Sequence, residues 1–219
     1  MNATPPVRAR SWSEVPAAAA RAVTGALTDI DDTLTTEGRL TPDALGALQA
    51  LRAAGLPVIA ITGRSMGWSL PFARAWPVDA IVAESGAVAL FMQEGELRTE
   101  YSQDEATRAR HAKRLQKVAV RVLREVPGAV LAQDSAGRLT DIAVDHSEFT
   151  HLGEPQIDAV LRVMREEGMN ATVSSTSTAG SANTPSCRAR AGSSNGCWAT
   201  ASTTNSRSGP MWAIRRTTS

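Results

Sequence analysis

The first part of the chain alternates short apolar runs with longer amphipathic stretches. Three runs have the length and composition of buried strands: AVTGALTD (residues 22–29), LPVIAITGRS (residues 56–65) and VDAIVAESGAV (residues 78–88). Between the first two, leucines recur at helical spacing, with Thr41 as N-cap and Gly55 as C-cap. Residues 66–76 predict a second helix, which we expect to be interrupted at Pro71. Strands and helices alternating at this pitch predict a Rossmann-like α/β core with a parallel sheet.

The pattern changes after residue 88. Two hairpins are predicted, with turns at residues 94–95 and 135–137, and helices are predicted over residues 104–125 and 155–167. Another strand begins near Ala171. Hairpins and helices that follow a parallel half-sheet predict an inserted α+β domain. The predicted organisation is therefore a lead-in, the first half of the core, the insert and a tail: residues 1–22, 23–87, 88–172 and 173–219.

The tail differs in composition from the rest of the chain. Residues 174–219 contain 19 Ser and Thr, five Arg, no acidic residue and no Leu or Val. Such a segment buries too little apolar surface to offset its ordering entropy, so we expect it to be disordered. The whole chain has 42% hydrophobic residues, a formal charge of +1 and no apolar run of membrane-spanning length. These values predict a cytoplasmic protein that binds neither nucleic acid nor membranes; its oligomeric state is left open.

Candidate chemistry lies at the ends of the first two predicted strands. Asp29 and Asp31 follow the first strand, and Thr62, Gly63 and Arg64 follow the second. Ligands bind at the carboxyl ends of parallel strands, so the two segments are expected to meet there. Paired carboxylates need a cation or a proton, which Mg²⁺ would supply together with substrate phosphate. A hydroxyl, a guanidinium and backbone amides opened by a glycine are phosphate-holding groups, so the pattern predicts phosphoryl transfer.

A purely structural role is the alternative for the acidic cluster, because Asp residues also cap helices and form Asx turns. The joint pattern of an apolar strand, D-x-D-x-T and a second strand ending in T-G-R favours function over capping. Asp32 is the exception, and we interpret it as a turn residue.

These segments resemble the haloacid dehalogenase superfamily. LTDIDDTLT is similar to its first signature, VIAITGRS to its second, and IVAESGAV to the I-x-E-N-G-A segment of its cap-bearing sugar-phosphatase branch, with Ser85 where Asn is usual. The resemblance implies that Asp29 is the nucleophile and that Asp31 is the general acid/base. It also implies that Asp29 and Asp31 ligate Mg²⁺ and that Thr62 binds the phosphoryl group.

Two further signatures of that superfamily, a Lys and a late acidic pair, are missing. The two lysines, Lys113 and Lys117, lie in the predicted long helix of the insert, and no acid follows Glu167. Read one nucleotide earlier, the codons of residues 210–218 permit Y-V-G-D-S-T-N-D, which is a fourth signature. We therefore hypothesise a frameshift near residues 173–175. It would leave one edge of the sheet uncovered and the chain poorly active.

The leading interpretation is a Mg²⁺-dependent phosphatase acting on a small phosphorylated metabolite such as a sugar phosphate. A phosphomutase of the same fold, a non-catalytic remnant or binding protein, and a receiver-type signalling domain are the alternatives. The receiver domain is disfavoured because it would lack both the T-G-R segment and the insert.

Overall fold

The computed structural model describes residues 11–173 and 177–181 of the chain. A 3₁₀ segment (Trp12–Glu14) and a short helix, α1 (Ala17–Arg21), precede the first sheet. The elements of the first half are β1 (Ala26–Asp29), β2 (Thr35–Thr36), β3 (Arg39–Leu40), α2 (Pro42–Ala53), β4 (Val58–Ile61), α3 (Met66–Ala75), β5 (Ala80–Ala83), β6 (Val88–Gln93) and β7 (Glu96–Tyr101).

A five-stranded sheet forms the first half, in the order β1-β4-β5-β6-β7. The strands β1, β4 and β5 are parallel and are connected by α2 and α3, which confirms the predicted α/β core. Thr41 caps α2 as predicted, because its hydroxyl accepts a hydrogen bond from the Ala44 amide. Ile30, Leu48, Ile81 and Leu90 are among the fully buried side chains of this core.

The hairpin that the sequence assigns to the start of the insert extends this first sheet instead. β6 pairs antiparallel with β5, with Ala83 opposite Val88, and β7 pairs with β6. The chain reverses in the 3₁₀ segment Glu84–Gly86, whose residues all have positive φ, between 50° and 104°. This tight reversal returns the chain directly alongside β5, so residues 88–101 remain in the core sheet.

The helix α3 runs through Pro71 without interruption, contrary to the prediction. A proline inside a helix removes one backbone hydrogen bond, which here would have reached the carbonyl of Gly67. The Ser65 hydroxyl caps the helix by accepting from the Trp68 amide, and Ala73 is buried against the sheet. Capping and burial maintain the helix across the missing bond.

β1 is an edge strand among the described residues, so it is less buried than its sequence predicts. Its burial alternates between partly buried and exposed positions, and 40% of Leu27 is exposed. Among residues 11–173 and 177–181, β4 is the only strand that pairs with β1. The uncovered edge expected from the frameshift stays a prediction, because most of the tail lies outside the described residues.

The second half forms a separate sheet covered by two helices. Its elements are α4 (Glu105–Glu125), β8 (Val130–Leu131), a 3₁₀ segment (Gln133–Gly137), β9 (Asp141–Asp145), α5 (Glu154–Glu166), β10 (Met169–Val173) and β11 (Ser177–Ser181). The sheet order is β10-β11-β9-β8, and Leu115, Val118 and Val122 of α4 are buried. Within the described ranges, no helix is both long enough and apolar enough to cross a membrane.

β11 lies in the segment that the sequence predicts to be a disordered tail. Its backbone pairs antiparallel with both β10 and β9. Strand pairing uses backbone N–H and C=O groups, which every residue other than proline provides, so a segment of Ser, Thr, Ala and Gly can fill the gap between two strands. The rest of the predicted tail, with the proposed frame change and both cysteines, lies outside the described residues.

Candidate active site

The two chemistry-bearing segments lie side by side at one edge of the first sheet. In the parallel pairing of β1 with β4, Asp29 is opposite Ile61. The chain after β1 and the β4–α3 loop (residues 62–65) therefore leave the sheet at the same end, as predicted for a parallel α/β core.

The Asp31 carboxylate joins these two segments. The Thr62 hydroxyl donates a 3.1 Å hydrogen bond to Asp31 Oδ2, and Arg64 Nε donates one of 3.1 Å to Oδ1. Both carboxylate oxygens are thus held by side chains from the second segment. The structure brings together three of the five predicted site residues, while their catalytic roles remain predictions.

Asp29 ends β1 next to two other carboxylates. Partial burial of its carboxyl group raises its pKa, and the negative charges of Asp31 and Asp32 raise it further. Hydrogen bonds from the Ile30 backbone and the Thr33 side chain act in the opposite direction without cancelling the increase. The pKa of Asp29 is thus above its ordinary value, so its ionised form is less favoured than that of an isolated carboxyl group.

The turn after β1 is organised around the Ile30 carbonyl. This oxygen accepts hydrogen bonds from the Leu34 and Thr35 amides and from the Thr35 hydroxyl, at 3.0 to 3.1 Å. Asp32 has a φ of 56°, a conformation that Asp tolerates in turns, in agreement with its predicted turn role. The buried Ile30 side chain fixes the turn to the core, which sets the position of Asp31.

Arg64 connects the site to the second half of the chain. Its two terminal nitrogens each donate a 3.1 Å hydrogen bond to one carboxylate oxygen of Glu148, and its guanidinium lies 5.7 Å from the centre of the Trp68 ring. With Nε bound to Asp31, all three guanidinium nitrogens have acceptors. A phosphate that binds Arg64 must compete with two carboxylates.

Asp145 holds the loop that carries Glu148. Its carboxylate accepts hydrogen bonds from the amides of four successive residues, Ser147, Glu148, Phe149 and Thr150, at 2.8 to 3.1 Å. Burial alone would raise the pKa of Asp145, but these four donors outweigh it and hold the pKa below its ordinary value. Glu148 is thus presented to Arg64 by a loop with a defined backbone.

Backbone amides of the β4–α3 loop are less available to a ligand than the sequence predicts. The Arg64 amide donates to Thr62 Oγ1 at 3.0 Å, and the Ser65 amide donates to Asp134 Oδ2 at 2.7 Å. The carbonyl of Gly63 accepts from the Arg138 guanidinium at 3.0 Å. The Thr62 hydroxyl, the Arg64 guanidinium and the loop segment at Gly63 remain the candidates for phosphate contact.

The acidic residues after β1 fit a magnesium ion that is completed by substrate. In the described part of the chain, no group of three His, Cys, Asp or Glu residues is arranged to hold a metal. Mg²⁺ commonly uses only one or two protein carboxylates together with water and substrate phosphate. Asp29, with its raised pKa beside two like charges, is a carboxyl group that such a cation would stabilise in its ionised form.

Sequence patterns missed the contacts of Glu84, which follows β5, and of three groups from the second half: Asp134, Arg138 and Glu148. Glu148 is 84 positions from Arg64, and no local spacing indicates that contact. The sequence does contain a pattern that could have indicated Arg138. Acidic residues lie four positions before it and three positions after it, and both form ion pairs with it. That spacing is also common on solvated surfaces, so it does not predict a buried cluster.

Comparisons with known proteins agree with this geometry. A family model described as haloacid dehalogenase-like hydrolase matches residues 26–148. A search of curated proteins found no match. Among solved structures, a Thermoplasma acidophilum protein superposes with a TM-score of 0.54 at 14% identity, covering 74% of this chain and 65% of that chain.

Two Candida albicans structures give similar values. The C-terminal domain of trehalose-6-phosphate phosphatase has a TM-score of 0.51 at 13% identity, over 71% of this chain and 56% of that chain. The C-terminal domain of trehalose synthase regulatory protein has a TM-score of 0.51 at 12% identity, over 78% and 58%. This chain spans less than two thirds of the length of each of these structures, and such identities show a shared fold only. The family match over residues 26–148 places the chain in the haloacid dehalogenase-like hydrolase family.

Proposed function

We propose that the protein is a phosphatase that hydrolyses a small phosphorylated metabolite through an aspartyl-phosphate. The observation that carries this proposal is the contact of Asp31 with both Thr62 and Arg64, because it joins the D-x-D segment to the T-G-R segment. A carboxylate pair beside a hydroxyl and a guanidinium provides a nucleophile, an acid/base and donors for the phosphoryl oxygens.

In the first proposed step, a carboxylate oxygen of Asp29 attacks phosphorus and the bond between phosphorus and the leaving oxygen breaks. Asp31 gives its proton to that leaving alkoxide, so an alcohol departs. In the second step, water attacks the phosphorus of the aspartyl-phosphate and Asp31 accepts its proton. Inorganic phosphate leaves and Asp29 is regenerated. Thr62 and Arg64 donate hydrogen bonds to the phosphoryl oxygens.

Mg²⁺ is the proposed cofactor. When bound by the Asp29 carboxylate and the Asp31 backbone carbonyl, it would neutralise charge on the phosphoryl oxygens and on Asp29. The raised pKa of Asp29 supports this assignment, since a nearby cation favours the ionised form of the nucleophile. The substrate is proposed to be a sugar phosphate or a related metabolite, in line with the cap-bearing branch that the sequence resembles.

The test is hydrolysis of a generic phosphate ester with and without Mg²⁺, by this chain and by the proposed frame-restored protein. We expect D29N to abolish turnover and D31N to lower it by about 10²- to 10⁴-fold, the usual contribution of a general acid/base. Excess chelator is expected to abolish turnover in the unaltered protein. Turnover that persists in D29N would overturn the proposal.

A protein that binds a phosphorylated ligand without hydrolysing it is the second candidate. It is favoured by the engagement of Arg64 with Asp31 and Glu148, which occupies three of the five N–H donors of the guanidinium. Calorimetric binding of a phosphate ester, with no release of inorganic phosphate from either the chain or its frame-restored form, would support this alternative.

A further inference from the structure

Glu84 is a buried carboxylate that contacts both halves of the molecule. It lies in the 3₁₀ segment after β5 and is 2% exposed. Its Oε1 accepts a 3.0 Å hydrogen bond from the amide of Met66, the first residue of α3. Its Oε2 accepts from the amide of Thr140 at 2.7 Å and from the Thr140 hydroxyl at 2.5 Å. The Leu139 amide donates to both oxygens, at 3.1 and 3.2 Å.

Further bonds join the same two segments. Asp134 accepts from the Ser65 amide, and Arg138, whose side chain is 4% exposed, donates to the Gly63 carbonyl. Arg138 is in turn held by ion pairs to Asp134 at 3.1 Å and Asp141 at 2.8 Å. The β4–α3 loop is therefore bonded at Gly63 to Arg138 and at Ser65 to Asp134.

The backbones of these segments also touch at two glycines. A Cβ added to Gly137 would lie 2.9 Å from the Cα of Gly67, and one added to Gly67 would lie 2.8 Å from the Cα of Gly137. Contacts this short leave room for glycine alone. The insert segment therefore packs directly on the first turn of α3, and we call the whole contact the seam (residues 63–67, Glu84 and residues 134–140).

We propose that Glu84 is a positioning residue, which sets the conformation of the β4–α3 loop by binding, with one carboxylate, both the insert and the first residue of α3, which directly follows that loop. This proposal rests on the proposed function, because it assumes that the β4–α3 loop holds the phosphate. Its consequence is that the insert supports the phosphate site as a fixed part of it. Loosening the insert at the seam is then expected to weaken phosphate binding, although the proposed phosphate contacts lie in the loop itself.

E84Q tests this role because the amide keeps one acceptor and replaces the other with a donor. The remaining oxygen is expected to face Thr140, which supplies two donors. The NH₂ group then faces the Met66 amide. The hydrogen bond to Met66, at the start of α3, is therefore lost, while the hydrogen bonds to Thr140 in the insert persist. E84D, whose carboxylate is one methylene shorter and cannot reach both sides, is the second variant if E84Q does not fold. E100Q, at an exposed position of β7, is the matched control.

Two measurements on the full chain decide the outcome. The first is the Kd for inorganic phosphate in MgCl₂ by calorimetry, and the second is amide hydrogen exchange of residues 64–66 and 139–140 by NMR. E84Q is expected to weaken phosphate binding about tenfold, the effect of losing one charge-assisted hydrogen bond. In E84Q, amide hydrogen exchange at residues 64–66 is expected to accelerate. E100Q is expected to change neither the Kd for phosphate nor the exchange rates.

The possible results separate this proposal from the proposed function. If the folded E84Q protein keeps the Kd and the loop exchange of the unaltered protein, the positioning role is wrong. If the unaltered protein and its frame-restored form both fail to bind phosphate, the proposed function fails. In that case, the amide hydrogen exchange of residues 64–66 in E84Q decides by itself whether Glu84 sets the conformation of the β4–α3 loop.

Discussion

Glu148 and Arg64 are 84 positions apart in the chain and are joined by two hydrogen bonds of 3.1 Å each. The third nitrogen of Arg64 binds Asp31, so a residue of the insert is connected through one guanidinium to the proposed acid/base. Roughly a third of each of the three side chains is exposed, which places the pair at the mouth of the site. Glu148 therefore competes with an anionic ligand for Arg64.

E148Q is expected to tighten the binding of inorganic phosphate about three- to tenfold, because it removes a negative charge and releases Arg64 for the ligand. The gain should shrink as salt increases, since screening weakens interactions between partly exposed charges. Calorimetry at two ionic strengths measures both effects. Stability should change by less than about 1 kcal/mol, as is usual for exposed ion pairs. Weaker phosphate binding in E148Q would show that Glu148 orients Arg64 for the ligand.

G137A is expected to lower the free energy of unfolding by about 1–3 kcal/mol, the usual effect of overpacking. The new methyl group would meet the Cα of Gly67 at 2.9 Å, and backbone atoms on both sides of the seam cannot rotate away. G46A is the control, since Gly46 lies inside α2 with open space around it. Alanine there should raise stability by up to about 1 kcal/mol. Urea unfolding of both variants measures the contrast, and equal effects would contradict the close contact at the seam.

Asp141 should make stability depend on pH in the direction opposite to most carboxylates. Burial raises its pKa from 3.8 to about 6, with Glu84 and Asp134 adding to the increase and Arg138 opposing it. A raised pKa in the folded state means that the folded protein binds the proton more tightly than the unfolded chain. The stability that protonated Asp141 contributes is fully present below about pH 4 and is lost as the pH rises through about 6.

D141N removes this dependence. The difference in unfolding free energy between the unaltered protein and D141N should fall by up to about 3 kcal/mol between pH 4 and pH 7, the value that corresponds to the pKa increase. Urea unfolding at half-unit pH steps provides the measurement. Taking the difference between the two proteins cancels the titration of other carboxylates. A difference that is constant over this range would show that Asp141 is not perturbed in the folded state.

The hypothesis of a frameshift predicts that restoring the frame near residues 173–175 raises phosphate-ester hydrolysis on the order of 10²-fold or more. The physical reason is that the restored segment would supply a Lys and acidic ligands that stabilise charge at the phosphoryl group. The exposed edge at β1, with Leu27 40% exposed, is where restored strands would pair. Sequencing the gene from independent isolates tests the hypothesis first. An intact frame ending in this tail in each of them would refute it, as would full activity in the 219-residue chain.

Local sequence patterns were sufficient for the parallel strands of the first sheet and for α2. The apolar runs and the capped helix at Thr41 correspond to β1, α2, β4 and β5. The predicted position of Asp31 near Thr62 and Arg64 follows from a general property of parallel sheets, since consecutive strands place their carboxyl ends together. These predictions depend on short-range periodicity and on one rule of topology, both of which a sequence contains.

Tertiary structure alone decided what local patterns leave open. Residues 88–101 joined the core sheet because a run of positive φ angles reverses the chain beside β5. α3 continued through Pro71 because capping and packing outweigh one missing hydrogen bond. In each case the deciding free energy comes from neighbours that are remote in the chain or from a backbone conformation that residue type does not fix.

The sequence by itself determined which residues can carry phosphoryl chemistry and that two strand ends would present them. It did not determine what those residues are bonded to. Glu84 contacts Thr140 across 56 positions and Met66 across 18, and Glu148 contacts Arg64 across 84. Hydrogen bonds and ion pairs depend on distances of about 3 Å between atoms. Only the folded chain brings such remote groups within that distance.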